Sequence, residues 1–250
     1  EMMQAFLPWV PERVEGETSE PEPGDQTVRG ACADEERQLL LSMISPGARI
    51  LDVGCGDGEL LASLASERDV KGVGVDYDTN QVISVLDRGY DIFQEDVDGG
   101  LAMIPDDSYD YAILSETLQV VRRPRVVLKE MLRVAQEGIV SFPNFGKFSR
   151  ALTLLRSGRM PVGGSLPFEW YDTPNIHLFT LRDFVTLCRH DGIDVLDMAC
   201  ISRGFLGRLL VKLGFCNLGA DRVLVKVARA DGAAKGRGRG CRSCTDLGGA

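Results

Sequence analysis

Apolar residues in this chain fall into short continuous runs, separated by stretches in which they recur every three or four positions. The runs Ala48–Val53, Lys71–Asp76, Tyr90–Val97, Tyr111–Ser115 and Gly138–Asn144 have the length of buried strands. Between them the spacing predicts helices over Asp34–Ser42, Glu59–Glu67, Asn80–Arg88 and Pro124–Ala135. Leu39, Leu40 and Met43 share a face of the first, Leu60, Leu61 and Leu64 of the second, and Val127, Leu128, Met131 and Leu132 of the fourth. Pro124 in the opening turn is a start signal. Thr180 then caps a helix running through Leu181, Phe184, Leu187 and Cys188 to Gly192. Ile193–Ala199 and Arg222–Val227 read as closing strands, joined by an apolar stretch from Phe205 to Phe215. Strands alternating with amphipathic helices predict an α/β fold: right-handed crossovers and a mostly parallel sheet with helices on both faces.

This pattern covers only the middle of the chain. Residues 1–32 carry Pro8, Pro11, Pro21 and Pro23 among acids and bury too little apolar surface to offset their ordering entropy, so disorder is expected. A domain over 33–229 follows, then a flexible Gly/Arg-rich tail over 230–250. Within the domain, 145–177 is less regular and dense in aromatics, which is where a substrate lid belongs. A net charge of −9 argues against general nucleic-acid binding, which needs a basic face. No apolar run reaches the ~18–20 residues that span a bilayer, and no basic-then-apolar leader opens the sequence, so a cytoplasmic location is expected. The seven cysteines read as reduced thiols. Cys241-x-x-Cys244 has no second pair or histidine nearby, and no metal site is expected.

The chemistry gathers around Asp52-Val-Gly54-Cys-Gly56-Asp-Gly58, a strand, a glycine turn and a helix start. Glycines at alternate positions let a ligand press on the main chain near a helix N-terminus. A dinucleotide fold wants G-x-G-x-x-G, which this spacing is not. A carboxylate ending the strand repels a pyrophosphate but suits a ligand bearing an ammonium group, which disfavours a nicotinamide-dependent oxidoreductase. Asp76 ends the second strand 18 positions after Gly58, near the ~20 expected of a carboxylate that binds ribose hydroxyls. Asp96, just past the third strand, is placed to accept from an adenine amine; Glu95 and Asp98 are its neighbours. Asp52, Asp76, Asp96, Ser115 and Asn144 all fall at carboxyl ends of strands, where open α/β sheets bind ligands. Gln119 stands at the mouth of that site, and the insert offers Tyr171, Asp172 and His177 to a substrate. If an acceptor must lose a proton, His177 is the candidate base, since the other of the two histidines, His190, lies near a helix end.

Asp52 to Gly58 resembles motif I of the class I S-adenosylmethionine-dependent methyltransferases. That likeness implies a Rossmann-like seven-stranded sheet with a reversed last strand, and S-adenosylmethionine held by Asp52, Gly54, Gly56, Gly58, Asp76, Asp96 and Ser115. A narrower likeness covers about 33–200. The stretches Leu-Asp-Val-Gly-Cys-Gly-Asp-Gly-Glu-Leu-Leu, Ile-Leu-Ser-Glu-Thr-Leu-Gln, Gly-Ile-Val-Ser-Phe-Pro-Asn-Phe and Trp-Tyr-Asp-Thr-Pro-Asn-Ile-His together resemble the methionine biosynthesis protein MetW family. This implies association with homoserine O-acetyltransferase, and leaves the methyl acceptor unnamed. Glu116 stands where the family is expected to carry Gln more often. Two roles follow: a stand-alone methyltransferase acting on a small molecule, or a cofactor-binding partner of the acyltransferase. In the second role Arg122, Arg123, Arg150, Arg156 and Arg159 would suit an acidic partner.

Overall fold

The computed structural model describes residues 34–230 and the backbone of the pair Arg242–Ser243. Apart from Ala230 and that pair, the expectations for 1–32 and 230–250, with Cys241 and Cys244, lie outside the described residues. The strands are β1 (Arg49–Val53), β2 (Lys71–Asp76), β3 (Asp91–Gln94), β4 (Tyr109–Ser115), β5 (Ala135–Pro143), β6 (Ile193–Ile201), β7 (Arg222–Arg229) and the two-residue β8 (Arg242–Ser243). The helices are α1 (34–43), α2 (Glu59–Arg68), α3 (Thr79–Asp87), α4 (Pro124–Val134), α5 (Phe148–Ser157), α6 (Leu181–Asp191), α7 (Phe205–Lys212) and α8 (Cys216–Gly219). The sheet order is β3-β2-β1-β4-β5-β7-β6-β8. β1 to β5 run parallel, and β7 runs against both of its neighbours. The main sheet is thus seven-stranded and mixed, with β8 a short addition beside β6.

Alternation along the central strands loads both faces. Leu51, Leu114, Val140 and Phe142 point to one core with Met131 of α4 and Phe184 of α6; Ile50, Ile113 and Ile139 point to the other with Leu39, Leu40 and Met43 of α1 and Leu64 of α2. Each fully buried large side chain of this set contributes about 1.5–3 kcal/mol. Phe142 stacks obliquely on Phe179 and Phe184, with centroids 4.7 and 4.9 Å away, which pins the chain entering α6 to the sheet. α6 starts with a complete capping box: Thr180 Oγ1 accepts from the Asp183 amide while the Asp183 carboxylate accepts from Thr180 N. Among the described residues no helix is long and apolar enough to cross a membrane.

Two differences from the sequence reading bear on the site. β3 is only four residues against the run Tyr90–Val97, and Asp96, just past it, caps a single 3₁₀ turn, Val97–Gly99. The insert also contains a helix, α5, which opens at Lys147 without any side-chain cap and ends at Gly158 in the left-handed region. It has no N-cap signal and leaves Leu154 and Leu155 exposed, and the sequence shows only a less regular stretch there.

Candidate cofactor and acceptor clefts

The loop between β1 and α2 is shaped by three left-handed glycines: Gly54 (φ 76°), Gly56 (φ 54°) and Gly58 (φ 78°). Gly54 N and Cys55 N both donate to Val75 O, at 2.8 and 3.1 Å, fastening the loop to the end of β2. A Cβ on Gly54 would fall 2.6 Å from Thr117 Oγ1, so that position has no room for a side chain. Above Gly56 the space is open, leaving bare backbone for a ligand to lie against. Gly58 then caps α2 with no side chain of its own, and the first helical amide, Glu59 N, donates instead to Asp57 Oδ1 at 3.1 Å.

Two carboxylates flank this loop. Asp76 accepts from Gly56 N through Oδ2 and from Asp78 N through Oδ1, both at 3.0 Å, so its orientation is fixed by backbone. Asp52 is 1% exposed and neither of its oxygens has a hydrogen-bond partner. Burial, reinforced by the nearby Asp76 charge, pushes its carboxyl up to about 7. Burial likewise pushes the Cys55 thiol up to about 12, with Asp52 and Asp76 adding to the effect. A buried acid without partners is costly unless a donor or cation meets it.

Three clefts open along the carboxyl edge of the sheet. The first, about 270 Å³, is lined by Gly54, Asp76, Asp96, Val97, Ser115 and Glu116. Asp96 keeps Oδ1 on Asp98 N at 3.0 Å. The second, about 350 Å³, lies between α1 and the start of α2 and includes Glu36, Leu60, Ser115, Glu116 and Arg222. Ser115 Oγ bonds Glu36 Oε1 at 3.4 Å and Ser141 Oγ at 3.3 Å. The third, about 380 Å³, is lined by Glu116, Gln119, Phe168, Asn175, Arg203 and Arg222, among others.

Glu116 lines all three clefts, in the left-handed region at φ 49°, a conformation that is uncommon and strained for a residue with a Cβ. Its carboxylate and that of Glu36 both pair with the Arg222 guanidinium. Burial holds the Glu116 carboxyl above its ordinary value, against the opposing pull of Arg222. Sequence reading missed Glu36 and Arg222, which are 186 positions apart. One signal was available for Arg222. In a reversed strand the first residue lies at the carboxyl edge of its parallel neighbours, and Arg222 pairs in register with Pro143 at the end of β5.

The remaining sequence candidates divide. Gln119 is 4% exposed, lines the third cleft, and has an amide oxygen without a partner. Its backbone carbonyl accepts from Ile176 N and His177 N, both at 3.0 Å, tying the insert to the β4–α4 connection. The His177 ring is half-buried with Nε2 unpartnered. Tyr171 is 66% exposed, edge-on to Trp170, with Asp172 exposed beside it; neither is among the cleft residues. Asn144 is fully buried and does not join the clefts. Its amide nitrogen donates to Asn217 O and Ala220 O, and its amide oxygen accepts from Gly146 N and Leu181 N, so all its bonding capacity goes to holding three segments, α8, the start of the insert and the start of α6. Arg150, read as a surface charge, is 6% exposed; it donates to Asn144 O and lies 3.9 Å from Asp221 Oδ1. Lys147 Nζ binds both Asp221 oxygens at 2.6 Å, so the start of the insert is anchored in the protein interior.

This architecture is shared. An S-adenosylmethionine-dependent methyltransferase from Mesorhizobium loti superposes with a TM-score of 0.58 at 18% identity, covering 81% of this chain and 100% of that one. A possible histamine N-methyltransferase from Thermotoga maritima gives 0.57 at 16% identity, covering 81% and 91%. At those identities they establish the fold alone: a Rossmann-like class I methyltransferase fold. A bifunctional methionine biosynthesis protein MetXA/MetW of Rhodopirellula baltica is 35% identical over 188 residues, which are 71% of this chain and 29% of that relative's length. The family model for methionine biosynthesis protein MetW matches residues 34–220, essentially the whole described domain, and the chain belongs to that family.

Proposed function

We propose that this protein binds S-adenosylmethionine across the first and second clefts and acts with homoserine O-acetyltransferase in methionine biosynthesis, in the cytoplasm. The observation that carries the cofactor reading is Asp52: a buried, partnerless carboxylate behind a glycine loop whose backbone is open at Gly56. A cation-bearing ligand supplies what that carboxylate lacks. Asp76, oriented by two backbone amides, has lone pairs left for ribose hydroxyls, and Asp96 borders the same cleft for an adenine amine. Ser115 and Glu116 are common to both clefts and mark where the two halves of the ligand meet.

When bound, S-adenosylmethionine supplies a methyl group already activated by its sulfonium. The side chains then have little to do beyond aligning an acceptor at about 3 Å. Glu116 faces both sides of that junction, and Gln119 borders the acceptor side. His177 is held by Gln119 through its backbone, but its unpartnered Nε2 is buried and outside the residues that line the clefts, so the ring would have to turn to take an acceptor's proton. The partner reading rests on the relative in which MetXA and MetW are named on one chain. A stand-alone methyltransferase acting on a small molecule is the second reading, favoured by the third cleft beside Glu116.

Calorimetric titration of S-adenosylmethionine and S-adenosylhomocysteine against the wild type and Asp76→Ala tests the cofactor reading. Binding that weakens at least tenfold in the variant supports it, and tighter binding of the demethylated product favours turnover. Absence of binding to either compound removes the reading and leaves an interaction scaffold.

A further inference from the structure

The three clefts meet at one side chain. Among the described residues that line them, Ser115 and Glu116 are shared by the first and second, and Glu116 alone borders all three. Ser115 is neutral, so the charge at the junction is that of Glu116. Its backbone is held in place: Glu116 N donates to Ser141 O at 3.1 Å and to Ser141 Oγ at 3.3 Å, which keeps the residue at φ 49°. The side chain is 39% exposed, so it is reached from the clefts rather than sealed beneath them.

The ion pair with Arg222 does not cancel that charge. The same guanidinium also pairs with Glu36, so Glu36, Glu116 and Arg222 set two negative charges against one positive. Among the described residues of the first cleft, Asp76, Glu95, Asp96 and Asp98 add to the excess, and no basic side chain offsets them. A cation at the junction is therefore attracted, and a neutral group there gains nothing from the field.

We infer that Glu116 makes the site selective for charge on the sulfur of its ligand, attracting the sulfonium of S-adenosylmethionine over the neutral thioether of S-adenosylhomocysteine. The inference rests on the cofactor reading above, in which the adenosyl half lies in the first cleft and the methionyl half in the second, so that the sulfur joining them falls at Glu116. Both compounds carry the same ammonium and carboxylate, and the difference between them isolates the sulfur.

The test is calorimetry of the full chain with S-adenosylmethionine, S-adenosylhomocysteine and sinefungin, whose amine-bearing carbon replaces the sulfonium and cannot donate a methyl group. The wild type should bind S-adenosylmethionine more tightly than S-adenosylhomocysteine by about fivefold or more, the upper end for a partly exposed ion pair. Glu116→Gln should weaken S-adenosylmethionine and sinefungin by that factor and leave S-adenosylhomocysteine unchanged; Glu116→Asp, which keeps the charge, should retain most of the preference. Equal weakening of all three by Glu116→Gln, as for a carboxylate that meets the ammonium or only positions Arg222, overturns the inference and leaves the cofactor reading standing. So does a wild type that binds S-adenosylhomocysteine as tightly as S-adenosylmethionine, or a preference that Glu116→Gln leaves intact. Binding of none of the three compounds to the wild type removes the cofactor reading and the inference with it.

Discussion

A carboxylate with no partner at 1% exposure is the residue on which the functional reading turns. Its ordinary value near 4 applies in the unfolded chain, while in the native state Asp52 holds its proton to about 7. Between those values the native state binds more protons than the unfolded one, so this residue's contribution to stability falls as pH rises from about 4 to about 7 and is level above that. Asp52→Asn removes the slope, and at pH 8 it should stabilise the ligand-free protein by about 4 kcal/mol; urea unfolding at pH 5 and pH 8 checks both. An unchanged slope would mean that Asp52 is ionised and satisfied in solution. Much at this scale was legible in the sequence, because Asp52, the glycines and Asp76 are local to one strand-turn-helix unit. Asn144 was misread for the opposite reason. A polar residue ending a strand looks the same whether it faces a ligand or closes a core, and only the four bonds to Gly146, Leu181, Asn217 and Ala220 decide.

At the scale of elements, Asn144 and Asp221 hold the insert, α6 and the α7–α8 turn to the end of β5. Asn144→Ala leaves two carbonyls and two amides without partners in the interior, which predicts a loss of about 3 kcal/mol or more in chemical denaturation. A loss under about 1 kcal/mol would show that water replaces those bonds. The same anchoring changes the view of the insert as a lid. Lys147 and Arg150 root its beginning on Asp221, and Ile176 and His177 root its end on Gln119. Ser165 Oγ, which accepts from Arg150 and donates to Asp221 O at 3.3 Å, ties down the middle as well, so any opening is confined to the shorter segments on either side of it. The alternation of strands with α1 to α4 followed from periodicity, and Thr180 announced α6 as its cap, whereas α7 and α8 read only as an apolar stretch between the closing strands. α5 was not legible because it has neither cap nor buried apolar stripe; Arg150 is its one buried side chain.

Over the whole molecule, large apolar side chains stay exposed on the insert and on the α7–α8 hairpin: Leu155 at 83%, Trp170 at 70% and Phe205 at 84%. Exposed aromatics and leucines of this size mark association surfaces. Arg156 and Arg159 lie beside them in the sequence and are exposed, whereas Arg150 is withdrawn into the interior. Deleting the insert would break the Asp221 anchor, so point changes test the partner more cleanly. Leu155→Asp with Phe205→Asp should abolish copurification with homoserine O-acetyltransferase while moving the melting temperature by less than about 2 °C, in keeping with surface changes. Retained association would place the partner elsewhere. The ion pairs of Arg222 with Glu36 and Glu116 were invisible at the sequence level, since they join α1, the end of β4 and the start of β7 only once the sheet is closed.

The most direct test of the account is titration of S-adenosylmethionine at pH 5.5 and pH 7.0, each in two buffers of different ionisation enthalpy. A cationic ligand that meets Asp52 must expel its proton. The account therefore predicts affinity about tenfold higher at pH 7.0 and release of close to one proton per ligand at pH 5.5, with both effects lost in Asp52→Asn. Binding of equal strength at the two pH values with no proton released would contradict it.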